Sequence, residues 1–214
     1  MTVRTQDDLL TKLDDEFAWR QKELTSIWGD VQTAPDKARE ARLRAGVALL
    51  YAHWEGFVKA AGDLFVQFVA IRKLRHDQLN SGLLSLALRQ RLREFAQSSA
   101  VERHIEFLNF LENDMGSRAR LPLINVIKTG ANLNSERFRE IVLTLGLDYS
   151  AYELKENLID RQLLDWRNSI AHGKALCPSK DDFDTLYGEV KGLLRLFKDQ
   201  MENAVVLQTY KRQK

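Results

Sequence analysis

A chain of 214 residues, 44% of them hydrophobic, is long enough for one sizeable core and short for two. The 32 Lys and Arg against 30 Asp and Glu leave a formal charge of +2, which argues against a protein that grips nucleic acid by bulk charge; any such contact must come from a local patch. The single cysteine, Cys177, excludes an internal disulfide and a Cys-rich zinc site, and it fits a reducing, cytoplasmic setting.

The first residues, MTVRTQDDLLTKLDDE, are acidic and polar and do not read as a secretory signal. Helical periodicity begins at residues 6–28, where Leu9, Leu10, Leu13, Phe17, Leu24 and Ile27 recur near a 3.6 period. Gly29 and Pro35 bound the connection that follows. From Asp36 to about Arg75 one long helix is expected. Leu43, Val47, Leu50, Trp54, Phe57, Ala61, Leu64, Phe68 and Ile71 form its continuous apolar stripe. Its polar side carries Arg44, Tyr51, Glu55 and Lys59. Glu55 and Lys59 stand four apart with the acid first, a pairing worth ~0.2–0.5 kcal/mol. His53, Glu55, Lys59 and Asp63 interrupt the apolar segment 45–71, so no membrane span is expected.

Residues 83–97 and 100–112 read as two shorter helices, the first carrying Arg89, Arg91 and Arg93. Residues 113–134 lack periodicity and contain Gly116, Pro122 and Gly130 together with Arg118, Arg120 and Lys128. They read as an ordered loop with a short extended piece at 123–127, and a loop of that length is often functional. Asn134 or Ser135 then caps a helix that Gly146 stops after Leu145. A further helix covers 151–171 and ends near Gly173. Ser179 with Asp182 makes a capping-box start for a last helix over 180–207. The expected fold is all-α, a bundle with one long central helix and about seven helices. It is read as one domain over 1–214, with 1–34 an N-terminal helical extension and 35–208 the core.

Most enzyme signatures are missing. The four histidines, His53, His76, His104 and His172, include no pair at metal-ligand spacing on one helix, and HExxH, a Gly-rich phosphate loop and GxSxG are all absent. No metal and no cofactor is therefore expected. What remains is the run Arg167-Asn168-Ser169-Ile170-Ala171-His172-Gly173. Arg and His five apart leave an ideal helix ~140° from each other, so they converge only where the helix ends, or where both edge a groove that a second subunit completes. The pair suits phosphodiester cleavage. Arg is a permanent bidentate donor to phosphate oxygens, and His exchanges protons near neutral pH. With RNA the neighbouring 2′-OH supplies the nucleophile. At this abundance of Arg, the bare R-x4-H spacing carries little weight by itself.

The surrounding residues say more. Leu163 through Gly173 resembles the signature of the HEPN superfamily (higher eukaryotes and prokaryotes nucleotide-binding), whose pattern is R-x(4–6)-H, often with a polar residue such as Asn168 after the Arg. The segment Tyr51-Ala52-His53-Trp54-Glu55-Gly56-Phe57-Val58-Lys59 and the block from Thr129 to Ser135, followed by Phe138-Arg139-Glu140-Ile141 and Gly146-Leu147-Asp148, resemble a bacterial HEPN nuclease-like family. The resemblance spans about residues 40–207. It implies a HEPN-like bundle that forms a homodimer with Arg/His pairs facing each other, and a metal-independent endoribonuclease in toxin–antitoxin or anti-phage defence. RNA is then the substrate, and an antitoxin or companion defence protein the partner. By that resemblance Arg167 binds phosphate, His172 is the catalytic imidazole and Asn168 supports them. Trp166 departs from the basic or polar residue many relatives carry there.

Plainer readings stay open for each residue. Arg167 and His172 also fit a helix-end salt bridge and a His favoured by the helix dipole. Glu55 either positions Arg167 or pairs with Lys59 at the surface. Glu55, Lys59, Arg118, Arg120 and Lys128 are the candidate substrate-binding residues, and Arg89, Arg91, Arg93, Arg118 and Arg120 form either an RNA path or a solvated face. Cys177 reads as structural. Catalytically inactive HEPN modules that bind a nucleotide or a partner protein are the alternative to the nuclease.

Overall fold

The fold is known from a computed structural model that describes residues 3–213. Helix α1 (Gln6–Gln32) opens at Thr5. The Thr5 hydroxyl accepts the Asp8 N–H while the Asp8 carboxylate accepts the Thr5 N–H, a capping box worth about 1 kcal/mol. The helix runs one turn past Gly29, because a helical glycine costs only about 1 kcal/mol, whereas Pro35 turns the preceding residue out of the α region. Pro35 then stands as the N-cap of the long α2 (Asp36–Ile71).

α2 is the axis of the bundle. α1, α8 (Lys180–Val206), α6 (Ser135–Leu145) and α7 (Asp165–Ala171) all pack on it. That crowding buries more than the expected stripe. Tyr51, Val58, Phe65, Val66 and Val69 lie inside along with Leu50, Trp54 and Phe57. A helix covered on several sides is apolar on several sides. α8 starts at Ser179, whose hydroxyl accepts the Asp182 N–H as the Asp182 carboxylate accepts the Ser179 N–H. The remaining α-helices are α3 (Ser81–Ala87), α4 (Arg89–Gln97) and α5 (Val101–Asn109). Among the described residues there are eight α-helices and no strand.

Several boundaries differ from the sequence reading, each for a local reason. α2 stops at Ile71, and Lys73 then adopts φ 54°, so that Arg75 bridges to Arg118 across an isolated antiparallel pair. The helix expected over 83–97 breaks at Leu88, which is buried while no residue of α4 is. No strand forms at 123–127, because the Val126 and Ile127 N–H groups both donate to the Asp63 carboxylate of α2 at 2.9 Å. The expected 151–171 helix is a 3-10 piece (Ser150–Lys155), a wide π-type stretch (Leu158–Leu164) and then α7. No described helix is long and apolar enough to cross a membrane.

A polar knot, with His53 and Arg20 buried in it, joins α1 to α2. His53 is buried, its Nε2 3.1 Å from the Glu23 carboxylate and its ring edge-on to Trp19. Trp19 in turn carries the Arg20 guanidinium at 4.3 Å. Burial holds the His53 imidazole below its usual pKa; Glu23 opposes that shift and Arg20 adds to it. A depressed pKa favours the neutral ring in the fold. Its stabilising contribution is therefore present above the ordinary value of 6.5 and is lost as pH falls through the lowered one. Thermal unfolding between about pH 7.5 and 5.5 should show a smaller acid-side fall in Tm for His53→Gln than for the wild type. Equal falls would show that His53 does not carry the effect.

Candidate phosphate-binding site

Arg167 is the third residue of α7, half-buried, and three groups from three parts of the chain hold it. Its Nη1 donates to the Asn132 Oδ1 at 2.9 Å and to the Asn168 Oδ1 at 2.8 Å. Its guanidinium carbon lies 4.6 Å from the centre of the Tyr51 ring. All three are uncharged. No carboxylate lies within 4 Å of Arg167 among the described residues, and Asp165, the one acid on α7, pairs backwards with Arg161. The salt-bridge reading of Arg167 is thus not what the fold shows. Nε and Nη2 make no hydrogen bond within the described residues, which leaves the side-on edge of the guanidinium for a ligand. That edge is the planar fork that matches two oxygens of one phosphate.

The site is rigid because its supports are tied to one another. Tyr51 lies one turn after Val47 on the buried side of α2, and its hydroxyl accepts the Leu133 N–H at 2.7 Å. Burial pushes that hydroxyl up to about 12; the Leu133 N–H works against the rise, and the Glu55 carboxylate beside it adds to it. Asn134 caps α6. Ser135 donates both its N–H and its hydroxyl to the Asp160 carboxylate, at 2.7 and 2.6 Å, from the π-type stretch that leads into α7. The loop that presents Asn132 is therefore pinned from α2 on one side and from the α7 approach on the other. A π-type segment directly before a candidate site residue is a common placement, since the wider turn re-aims side chains.

His172 is the C-cap of α7, and the helix ends there as the sequence suggested. Gly173 takes φ 72°, a conformation L residues rarely adopt, and its N–H donates to the Ile170 carbonyl while the Lys174 N–H reaches the Ser169 carbonyl. Beyond the turn, Arg44 of α2 donates to the carbonyls of Lys174 and Leu176 at 2.7 and 2.8 Å and fixes the way the chain leaves His172. The imidazole itself is exposed and makes no hydrogen bond among the described residues. Among the described residues no hydrogen bond joins it to Arg167, whose contacts are Asn132, Asn168 and Tyr51.

The other candidates are dispersed. Glu55 serves the Tyr51 hydroxyl, one step removed from Arg167, and it forms no ion pair with Lys59, which is exposed. Arg120 and Lys128 line depressions beside α4, and Arg118 sits by Arg75; none of the three contacts Arg167. Cys177 is exposed, its Sγ near the Glu40 and Pro178 carbonyls. Among the described residues no group of three His, Cys, Asp or Glu side chains is placed to hold a metal ion. Sequence reasoning missed Tyr51, Asn132 and Arg44 as site residues. The signal for Tyr51 was present: Val47, Tyr51, Trp54 and Val58 continue one helical line, so the residue belonged inside.

The described residues form an all-α protein. The family model described as HEPN_MAE_28990-like HEPN matches residues 9–210, and the chain belongs to that family. The match takes in most of α1, which lay outside the span where the sequence resemblance was read. Membership places the chain among nuclease or nucleotide-binding modules. No curated protein and no solved structure matches it.

Proposed function

We propose that the chain is a metal-independent endoribonuclease that acts as a homodimer, with Arg167 and His172 in the cleft. The observation that carries this reading is the state of Arg167: oriented by neutral groups and, among the described residues, without a counter-charge and with its Nε and Nη2 edge uncommitted. Here the charge and the fork are kept for an anion. Asn168 and Asn132 hold the guanidinium in place for it.

In the reaction, neutral His172 takes the proton of a ribose 2′-OH as O2′ attacks the adjacent phosphorus. The P–O5′ bond breaks, and the leaving O5′ receives a proton from a second acid, the His172 of the other copy. Arg167 stabilises the charge that grows on the non-bridging oxygens. The products are a 2′,3′-cyclic phosphate and a 5′-hydroxyl. The family resemblance supports two copies, whose Arg167 and His172 pairs would face one cleft. The family resemblance supports a setting in toxin–antitoxin or anti-phage defence, where an antitoxin or companion protein would restrain the nuclease.

The test is cleavage of a defined RNA in excess EDTA, wild type beside Arg167→Lys. The wild type should leave 2′,3′-cyclic phosphate ends. The lysine variant, which lacks the planar fork and the two amide bonds, should be slower on the order of 100-fold. Folded, dimeric wild-type protein that cuts no RNA would reject the nuclease and leave a nucleotide-binding module.

A further inference from the structure

We propose that the groove between α4, the 119–128 loop and α6 is the track along which a single strand of RNA runs to Arg167; that the strand is RNA rests on the ribonuclease reading above. Two adjoining depressions, of about 800 and 900 Å³, share Arg89, Val126 and Lys128 in their walls. Arg93 and Arg120 line one of them and Arg137 the other. These five cations face only two carboxylates. Arg137 pairs with Glu140, and Gln90 donates to Glu94 at 2.9 Å. Arg89, Arg93, Arg120 and Lys128 have no carboxylate within 4 Å among the described residues. The local excess exceeds the +2 of the whole chain, so this is the patch that the near-neutral composition required.

The groove adjoins the site. Arg137 and Glu140 also line a third depression, of about 340 Å³, whose wall carries Glu136 and also Asn132, the residue that holds Arg167. Its scaffold is preformed. Asp63 grips the Val126 and Ile127 backbone, and the Ala119 N–H donates to the Leu74 carbonyl at 2.9 Å. The wall also presents Leu121, Pro122 and Ile124, the last 79% exposed. Cations beside an exposed apolar wall suit a strand whose phosphates and unstacked bases are both available. A duplex hides its bases and could use only the charge.

The test measures binding without cleavage. The probe is a fluorescein-labelled, fully 2′-O-methylated oligouridylate of about fifteen nucleotides, followed by anisotropy across a salt series. The Arg89→Ala/Arg120→Ala/Lys128→Ala variant should bind at least about tenfold more weakly. Its slope of log affinity against log salt should flatten by about 2, near 0.7 per lost phosphate contact. A control with the same change of charge, Lys22→Ala/Lys37→Ala/Lys180→Ala, should bind as the wild type does. A duplex of equal length should compete poorly. Unchanged binding by the groove variant, an equal loss in the control, or a duplex that competes as well as the single strand would each overturn the track. Wild-type protein that binds through the groove yet cuts no RNA would instead reject the nuclease and keep the track as a strand-binding site.

Discussion

Replacing His172 with alanine is expected to lower RNA cleavage by on the order of 10²–10⁴-fold and to leave the melting temperature where it was. The two halves of that expectation have separate grounds. The imidazole is exposed and without a hydrogen bond among the described residues, so its removal strands no buried partner. The turn it caps is made by backbone groups, the His172 N–H on the Asn168 carbonyl and the Gly173 and Lys174 N–H groups beyond it, and alanine keeps all of them. A surface change of this kind stays within about 0.5 kcal/mol. The loss of rate is the ordinary worth of a positioned acid–base group. A variant that cleaves at the wild-type rate would remove His172 from the mechanism, and a variant that melts early would show a structural role that the geometry does not contain.

Gly82→Ala is expected to destabilise the fold strongly. Gly82 lies in the first turn of α3, pressed against the C-terminal end of α6. A Cβ there would stand 2.1 Å from the Leu143 carbonyl oxygen and 2.9 Å from the Gly146 nitrogen and the Thr144 oxygen. All three are backbone atoms and cannot swing aside, so α3 must back away. That movement would strain the Asn80 cap, whose Oδ1 accepts the Leu83 N–H and whose Nδ2 donates to the Thr209 carbonyl. Overpacking of this kind costs about 3 kcal/mol, a fall in Tm on the order of 10 °C for a chain of this length. The comparison is Gly192→Ala on α8, where a Cβ meets nothing within 4 Å and should raise stability by about 0.5–1 kcal/mol through helix propensity alone. Equal melting of Gly82→Ala and wild type would mean that the α3–α6 crossing is looser than described. Gly82 also lines the basic groove, so its loss should weaken strand binding with stability.

Much of this protein could be read without its structure. The capping box at Ser179, the Asn134 cap, the stop at Gly146 and the helix end at Gly173 are decided within four or five residues, and local chemistry is what a sequence displays. The stripe from Leu43 to Phe68 announced a central helix for the same reason, since its period is local. The run from Arg167 to Gly173 was legible as a candidate phosphate site in an all-α HEPN fold. What the tertiary structure alone decided depends on residues far apart in the chain. Tyr51 went inside because α7 and the 129–135 loop closed over that side of α2. Arg167 was left without a carboxylate because its neighbours in space are Asn132 and Tyr51, and no spacing rule reaches across 35 or 116 positions. The break at Leu88 and the missing strand at 123–127 came from the same cause: burial of Leu88 and the Asp63 carboxylate outbid the local preference. Sequence periodicity fixes what each segment tends to be, and packing between distant segments decides which charges stay free to act.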